Sequence, residues 1–536
     1  MNGLQSLPQQ GPKAVAVGKQ AACSSSHPWV TQTILQVMKD GGNAIDAAIA
    51  GSLLQATIDP HMTNHGGSVS FLCYHAQSEK TYQLTSTGTM VPGMAPWSPL
   101  PKSLGKECAT VPGYMPGLGA MYDAFATKPW AQLCQEAIRA AQEGYPMYSW
   151  QYGVLTEGLE VRTYFPEGRE LYTPNGFLTP VGEQHRNPPL AKTLKALAQE
   201  GPDYFTTGQW AKNFVAKANA LGWEIELEHM SAIPPRWHDP LRYRHGDDTV
   251  VQLAPPGQAG VFCQFTMGLL RHMGVADRGH YSQSAESLYL LAHALRWVSW
   301  ELNLLRDPEI FRVPVEQWTD DDHHRNVAQI ILNSLPKIDL SEHVRITGGK
   351  GGAEAAGLAG SETDSCELSI VDPQGNWVQM MHTGQYGGIP GVAVDGVWMH
   401  GSSRAGLTTG GGRLKSNTAN TIVMRHDKPW LALGTPGRPS LTVPQVLHSI
   451  LDFDMDPYEA SDCIRLWPLA EDSTVEVESR ISPQMVEDLA RMGIQVQPLG
   501  TYRWNMGSFQ ICWRDPASNE LRSSCDPRRV GEAAAF

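Results

Sequence analysis

The chain is 536 residues long, which is too long for one ordinary hydrophobic core, so we expect two domains or one large two-part α/β body. Hydrophobic residues make up 41% of the chain and charged residues 18%, as in ordinary soluble globular proteins. The formal net charge of −13 argues against nucleic acid as a partner, because phosphate binding needs a basic face. No apolar run approaches the ~18 residues of a membrane span, so no membrane partner is expected.

The nine cysteines are scattered from Cys23 to Cys525 and contain no CxxC pair, which favours reduced thiols over a disulfide framework. Residues 1–10 lack the charged and hydrophobic regions of a signal peptide. The sequence therefore predicts a cytoplasmic protein, and it indicates neither a metal nor a cofactor.

The first predicted elements are two helices separated by a pair of glycines. Residues 29–40 carry apolar side chains at helical spacing, and Gly41-Gly42 ends that pattern. Asn43 is then a candidate N-cap, with Asp46 in the capping-box position. This pattern predicts a buried helix over residues 44–58.

Strand and helix signals alternate through the rest of the first half. Residues 68–74 alternate as a strand and are expected to pair with residues 80–84 in a hairpin. Residues 110–225 are mostly helical in pattern. A further strand is predicted at residues 249–253 and a long helix at residues 285–305.

A Gly-rich linker, residues 348–363, separates this part from a region of short alternating strands. The strands are predicted at residues 365–372, 377–383, 396–399, 421–424 and 430–433, and a helix follows at residues 443–451. Strands in two blocks with helices outside them indicate two sheets packed face to face and covered by helices.

Ser365 is the candidate nucleophile, because it stands at the first position of a strand directly after the Gly-rich connection. Attack of its hydroxyl on the carbonyl of Asp364 would form an ester, and hydrolysis of that ester would leave two chains. Ser365 would then carry a free α-amino group, which titrates near ~8 and can act as a general base close to neutral pH. This layout is that of a self-processing N-terminal-nucleophile hydrolase.

The hairpin offers a partner for this hydroxyl. If Asp372 pairs with Trp377, Ser365 lies opposite position 384, beside Thr383, with an error of about one residue. Thr383 could then bond the nucleophile or its amine. The alternative is that Ser365 is an ordinary strand residue and Thr383 a solvent-facing β-former.

Several motifs in order along the chain resemble the γ-glutamyltranspeptidase family from near residue 15 onwards. They are Ser24-Ser-Ser-His-Pro28, Gly41 to Ala48, Asp59-Pro-His61 with Gly66-Gly67, Thr110-Val-Pro-Gly113, Asn187-Pro-Pro-Leu-Ala191, Pro255-Pro-Gly-Gln258, Ser365 to Asp372 with Gly375-Asn376, Gly434-Thr-Pro-Gly437 and Ser524-Cys-Asp-Pro-Arg528. The resemblance implies a four-layer αββα sandwich. It also implies a large fragment, 1–364, and a small fragment, 365–536, that remain associated as a heterodimer, with a dimer of these left open.

The resemblance also implies roles for individual residues. Ser365 stands where family members usually have Thr, and cleavage would fall between Asp364 and Ser365. Thr383 and Gln385 take the places of residues that hold the nucleophile and substrate, and Gly437 and Arg438 those of an oxyanion-hole pair. The other implied substrate-binding positions are Ser403, Arg404, Ser416 and Asn417.

Two departures argue against a glutamyl substrate. Gly88 stands where transpeptidases carry an Arg for the substrate carboxylate, and Arg404-Ala405 where they carry an Asp for its ammonium group. Each lost contact would be worth ~1.5–3 kcal/mol. The Arg404 segment is more similar to a subgroup that includes amidohydrolases of small anionic amides such as oxamate, and Arg404 and Arg438 are candidate anion receivers, although both could be surface arginines.

The predicted function is therefore hydrolysis of a small, carboxylated, non-glutamyl amide through a Ser365 acyl-enzyme. One alternative is γ-glutamyl or other acyl transfer to an amine. Another is an uncleaved, inactive relative with a binding or scaffold role.

Two further signals favour structural roles. The run Asp320 to His324 is expected to cap a helix, where negative charge is favourable, rather than to bind a metal. Cys366 is expected to point to the strand face opposite Ser365.

Overall fold

The computed structural model of the chain describes residues 10–91, 110–157, 159–255, 260–302, 304–334, 365–384, 391–399, 411–414, 416–469 and 473–536. Two seven-stranded antiparallel sheets dominate these residues, with strand orders β1-β20-β19-β15-β14-β9-β8 and β21-β2-β10-β11-β3-β4-β7. We call them the first and the second sheet. Smaller sheets join β16-β17-β18, β12-β13 and β5-β6.

The strands are β1 Ala16–Gly18, β2 Ala22–Ser25, β3 Ser68–His75, β4 Lys80–Ser86, β5 Tyr145–Pro146, β6 Gln184–His185, β7 Arg236–His238, β8 Leu241–His245, β9 Asp248–Gln252, β10 Ser365–Val371, β11 Trp377–Thr383, β12 Ala393–Val394, β13 Val397–Trp398, β14 Thr421–Arg425, β15 Lys428–Gly434, β16 Leu466–Pro468, β17 Thr474–Glu478, β18 Gln495–Leu499, β19 Gln510–Arg514, β20 Leu521–Cys525 and β21 Glu532–Ala535.

The α-helices are α1 Pro28–Lys39, α2 Ala44–Ile58, α3 Tyr114–Phe125, α4 Trp130–Leu133, α5 Gln135–Glu143, α6 Ser149–Glu157, α7 Leu159–Arg162, α8 Pro166–Tyr172, α9 Pro188–Glu200, α10 Gln209–Ala220, α11 Gly260–His272, α12 Ala285–Leu302, α13 Val315–Thr319, α14 Asp321–Ser334, α15 Pro439–Phe453, α16 Pro457–Asp462 and α17 Pro483–Arg491.

The structure confirms the start of α2 that the sequence predicted. The Asn43 side chain accepts from the N–H of Asp46 at 2.9 Å, and Asp46 accepts from the N–H of Asn43 at 2.9 Å, which completes the predicted capping box. Every residue of α2 is buried, so this helix lies in the interior rather than at an amphipathic surface. The predicted β3–β4 hairpin also forms.

Three hydrophobic cores separate four layers. One core packs α1, α2, α3, α5, α9 and α10 on the outer face of the second sheet, and another packs α11, α12 and α15 on the outer face of the first. The third lies between the sheets and includes Val371 and Trp377 from one, and Ile422 and Ala432 from the other. This is the expected αββα sandwich.

Both sheets mix strands from the two sides of the predicted boundary at 364/365. In the second sheet, β10 lies between β2 and β11, and β11 lies beside β3. In the first sheet, β14 pairs with β9. The two predicted fragments therefore share one folded body.

Among the described residues, every helix is too short or too polar to cross a bilayer.

Candidate active site

Ser365 is the first residue of β10 and lies directly opposite Thr383 at the end of β11. Its Oγ donates to Thr383 Oγ1 at 2.8 Å. Ser365 is half-buried, whereas Thr383 and the other residues of both strands are buried. The hydroxyl pair therefore lies at the end of the hairpin that is partly open to solvent. The structure thus brings together the predicted nucleophile and its predicted partner.

The observed register of the hairpin differs by one residue from the predicted one, which placed Asp372 opposite Trp377. This difference is within the expected error. The Asp372 N–H donates to the Asn376 carbonyl at 3.1 Å, and the Asp372 carboxylate accepts from the Asn376 N–H at 2.9 Å. These bonds close a three-residue turn, with Gly375 at φ +86°. Val371 therefore pairs with Trp377, and Ser365 with Thr383.

Alternation along β10 sends Ser365 and Cys366 to opposite faces of the second sheet. Leu368 and Ile370 join the core beneath α2, whereas Val371 joins the core between the sheets. Ser365 shares the inter-sheet side with Val371, and Cys366 shares the helix side. Burial raises the pKa of the Cys366 thiol well above its ordinary value, which keeps that thiol protonated.

Glu367, two residues after Ser365 on the same face, lies fully buried between the sheets. Its Oε1 accepts from Gln379 Nε2 at 2.9 Å and Asn420 Nδ2 at 2.8 Å. A Cβ at Gly434 would clash with this carboxyl group and approach Gln379 Nε2 at 2.6 Å. Gly434, at the end of β15, therefore lies against the nucleophile strand.

The turn from Gly434 to Arg438 leads from β15 into α15. Gly437 and Arg438 have φ values of +78° and +52°, and a Cβ at Gly437 would lie 2.5 Å from the Asn505 carbonyl oxygen. Arg438 also stacks on Trp467, with its Cζ 4.9 Å from the ring centroid. The turn therefore combines a left-handed backbone with the start of a helix, where the first N–H groups lack partners within the helix.

Asn417 belongs to the same end of α15, since its Oδ1 accepts from the Ser440 N–H at 3.2 Å. Ser416 is buried beside it. The residues outside the described ranges are Asp364, Gln385, Ser403, Arg404 and Ala405, together with the Gly-rich linker 348–363.

Arg529 is a neighbour of Ser365 that the sequence analysis did not identify. Its Nη1 donates to the Ser365 carbonyl at 3.1 Å, and its Nε donates to the Trp504 carbonyl at 3.0 Å. Ser508 donates its N–H to Thr435 Oγ1 at 2.7 Å, so the segment 504–508 connects Arg529 to the turn after β15. Its position was the signal that the sequence offered, because Arg529 directly follows the Ser524-Cys-Asp-Pro-Arg528 motif.

Asp59, at the end of α2, belongs to the Asp59-Pro-His61 motif, but no role near Ser365 was predicted for it. It is buried and accepts from Tyr148 and Gln55. Burial raises the pKa of its carboxyl to about 7, although the hydrogen bonds and Arg529 act in the opposite direction. The charge on Asp59 also raises the pKa of Cys366, which places this acid on the helix side of β10.

The environment of Gly88 contains an arginine that the local sequence did not reveal. Thr89 bridges to Arg413, which is buried. The Arg413 Nη1 lies 2.8 Å from Glu309 and 3.4 Å from Asp307. Its charge is thus committed to carboxylates.

The acidic run at Asp320 caps α14, as expected. Asp320 Oδ2 accepts from the His323 N–H at 3.0 Å. Within the described ranges, no three His, Cys, Asp or Glu side chains come together as a metal site.

Comparisons with known proteins agree with this architecture. The chain is 27% identical over 537 residues to the glutathione hydrolase proenzyme of Pseudomonas aeruginosa, covering 92% of this chain and 91% of that protein. It is 24% identical over 544 residues to the oxamate amidohydrolase proenzyme of Klebsiella pneumoniae, covering 95% and 97%. The crystal structure of cephalosporin acylase from Bacillus halodurans superposes with a TM-score of 0.82 at 21% identity, over 99% of this chain and 98% of that chain, which shows a shared fold.

The gamma-glutamyltranspeptidase family model matches residues 30–536. That span includes the nucleophile hairpin, the turn after β15 and strands of both sheets. The chain therefore belongs to the γ-glutamyltranspeptidase family.

Proposed function

We propose that this protein is a self-processing amidohydrolase whose nucleophile is Ser365. The observation that carries the proposal is the Ser365–Thr383 hydroxyl pair at the first position of β10, on the strand face shared with Glu367 and near the turn after β15. The hydrolases among its relatives, named as proenzymes, support an amidohydrolase or acyltransferase of this fold.

Processing begins when Ser365 Oγ attacks the carbonyl carbon of Asp364. A C–O bond forms, the C–N bond to Ser365 breaks, and the hydroxyl proton passes to the nitrogen. Water then hydrolyses the ester, which leaves a carboxylate on Asp364 and a free amine on Ser365. The fragments 1–364 and 365–536 stay together as a heterodimer because both sheets contain strands from each.

In the mature enzyme, the Ser365 amine accepts the hydroxyl proton as Oγ attacks the substrate amide. Thr383 orients the hydroxyl, and the N–H groups of Gly437 and Arg438 stabilise the oxyanion. The leaving amine takes the proton, and water hydrolyses the acyl-enzyme ester.

The substrate we propose is a small amide that carries a carboxylate but no glutamyl head group. Gly88 supplies no side chain for a glutamyl carboxylate, and the adjacent Arg413 is engaged by Asp307 and Glu309. Arg438, held over Trp467 at the start of α15, is a suitable anion receiver, together with Arg404. The oxamate amidohydrolase of Klebsiella pneumoniae is a relative with a name of this substrate class.

Denaturing gels of the purified protein test the processing step. The wild type should give two bands, and Ser365→Ala should give one band of 58.7 kDa with no activity. A single band for the wild type would overturn self-processing and favour the uncleaved relative.

A substrate panel tests the chemistry. Oxamate, oxamide and γ-glutamyl-p-nitroanilide should be compared with and without a dipeptide amine acceptor. Faster turnover of oxamate with water as acceptor supports the proposal. A preference for the glutamyl compound would overturn the substrate class, and acceptor adducts would indicate transfer.

A further inference from the structure

The edge of β10 at Ser365 is occupied by a side chain rather than by a strand. β2 pairs with β10 from Leu368 to Val371. At Ser365 the position next along that edge is taken by Arg529, whose Nη1 donates to the Ser365 carbonyl at 3.1 Å. Arg529 comes from the segment between β20 and β21.

The Ser365 nitrogen faces the same side as its carbonyl. In an antiparallel ladder, the N–H and C=O of one residue point to the same neighbour, so consecutive residues alternate between the two sides. Since the Ser365 carbonyl points to Arg529, the nitrogen lies on the Arg529 side of β10 as well. From ordinary backbone dimensions, the guanidinium is roughly 6 Å from that nitrogen.

Arg529 is fixed and buried. It is 1% exposed, its Nε donates to the Trp504 carbonyl, and its Cζ lies 5.3 Å from the Trp504 ring and 5.8 Å from the Trp150 ring. A guanidinium keeps its charge at every physiological pH, and burial reduces screening by salt.

Among the described residues, the titratable groups in this region include His27 before α1, Asp59 at the end of α2 with its partner Tyr148, His61 in the next loop, and Cys366 and Glu367 on β10. Arg162 and His185 act on His61. Burial lowers the pKa of His27 to about 3 and that of His61 well below its ordinary value, so both are neutral near pH 7. Burial raises the pKa values of the Cys366 thiol and the Glu367 carboxyl well above their ordinary values, which disfavours their charged forms. Asp59, with a pKa raised by burial to about 7, is partly charged.

We propose that Arg529 is a positioning residue that holds the α-amino group of cleaved Ser365 in its uncharged, proton-accepting form near neutral pH. The inference rests on the proposed function, because that amine exists only after cleavage. A fixed cation on the same side of the strand disfavours the ammonium form, while its bond to the carbonyl keeps the amine directed at Oγ.

The expected lowering of the pKa of the Ser365 amine follows from its distance to the Arg529 guanidinium. At roughly 6 Å and an effective dielectric constant of ~20, a unit cation lowers the pKa of an amine by about two units, and partial charge on Asp59 reduces this to about one to two.

Competitive labelling of the cleaved protein with trace acetic anhydride, from about pH 5 to about pH 9, measures this titration directly. Mass spectrometry quantifies acetylation of the peptide that begins at Ser365. A free synthetic peptide of the same sequence serves as the reference, so no substrate is needed.

The wild-type amine should titrate about one to two pH units below the free peptide. Arg529→Met should raise that value by about one unit or more, and Arg529→Lys should keep it low. Arg522→Met, which removes a partly exposed arginine paired with Asp515, is the matched control and should change nothing.

An Arg529→Met amine that titrates like the wild type would overturn the inference, because desolvation alone would then account for the lowering. If Arg529→Met fails to cleave, the titration of the wild-type amine is the test. A wild-type amine that titrates like the free peptide would refute the role of Arg529 and leave self-processing intact. Absence of the Ser365 amine from the wild type would refute both self-processing and this inference.

Discussion

Removing the Thr383 hydroxyl is the most direct test of how the nucleophile is held. Thr383→Val keeps the shape of the side chain but removes the oxygen that accepts from Ser365 Oγ at 2.8 Å. Thr383→Ser keeps that oxygen and is the matched control.

The magnitude follows from the kind of bond that is lost. A neutral hydrogen bond contributes about 0.5–1.5 kcal/mol net, which corresponds to a factor of about 2–13 in rate. Because Ser365 is half-buried, water can replace part of the lost contact. We therefore expect self-cleavage and kcat/KM to fall by up to about tenfold in Thr383→Val, with little change in Thr383→Ser.

The cleavage rate should be measured from gel band intensities after synthesis in a cell-free system, and Tm should be measured on the same samples. A complete block of cleavage in Thr383→Val, with a wild-type Tm, would refute an orienting role and indicate that Thr383 takes part in proton transfer. Identical rates in all three proteins would refute the orienting role as well.

Three further predictions concern stability. Gly434→Ala should lower the free energy of unfolding by about 1–3 kcal/mol, measured from denaturant midpoints, because its Cβ would clash with Glu367. Arg528→Met should cost about 3–5 kcal/mol in the same assay, because it removes a fully buried cation that pairs with both Glu478 and Asp526 and leaves Glu478 paired with the partly exposed Arg480. For Asp59→Asn, the stability relative to wild type should rise between about pH 4 and about pH 7 and stay constant above, because the folded carboxyl has a pKa raised by burial to about 7 and the unfolded one titrates near 3.9.

Each of these has a contradicting outcome. An unchanged denaturant midpoint for Gly434→Ala would mean that the nucleophile strand and β15 do not lie in contact. Wild-type stability of Arg528→Met would mean that Arg480 alone compensates the buried Glu478 charge. A pH-independent difference for Asp59→Asn would mean that Asp59 titrates alike in the folded and unfolded states.

Local patterns were sufficient for the elements that carry the site. Asn43 and Asp46 located the start of α2, because a capping box needs only neighbouring residues. The β10–β11 hairpin was also predictable, but its register depended on the Asp372 side chain. That carboxylate accepts from the Asn376 N–H within the three-residue turn and also from the Ala44 N–H at 2.7 Å, a contact with distant sequence.

Contacts across long sequence distances were not predictable. Arg529 reaches Ser365 from 164 positions away, and Arg413 reaches Thr89 through an isolated bridge. Neither has a local pattern, because each depends on how the two sheets are ordered. Asp59 was visible as part of a motif, but its burial behind the nucleophile strand depends on where Tyr148 packs.

The order of strands around β10 has a consequence for when the protein matures during synthesis. β10 is flanked by β2, and β2 is in turn flanked by β21, which runs to Ala535. The ribosome therefore has to deliver the chain through that residue before the neighbourhood of Ser365, including Arg529, can assemble. If the proposed cleavage at Ser365 needs this neighbourhood, a nascent chain that stops short of β21 should remain uncut, and processing would begin only after translation has passed this point.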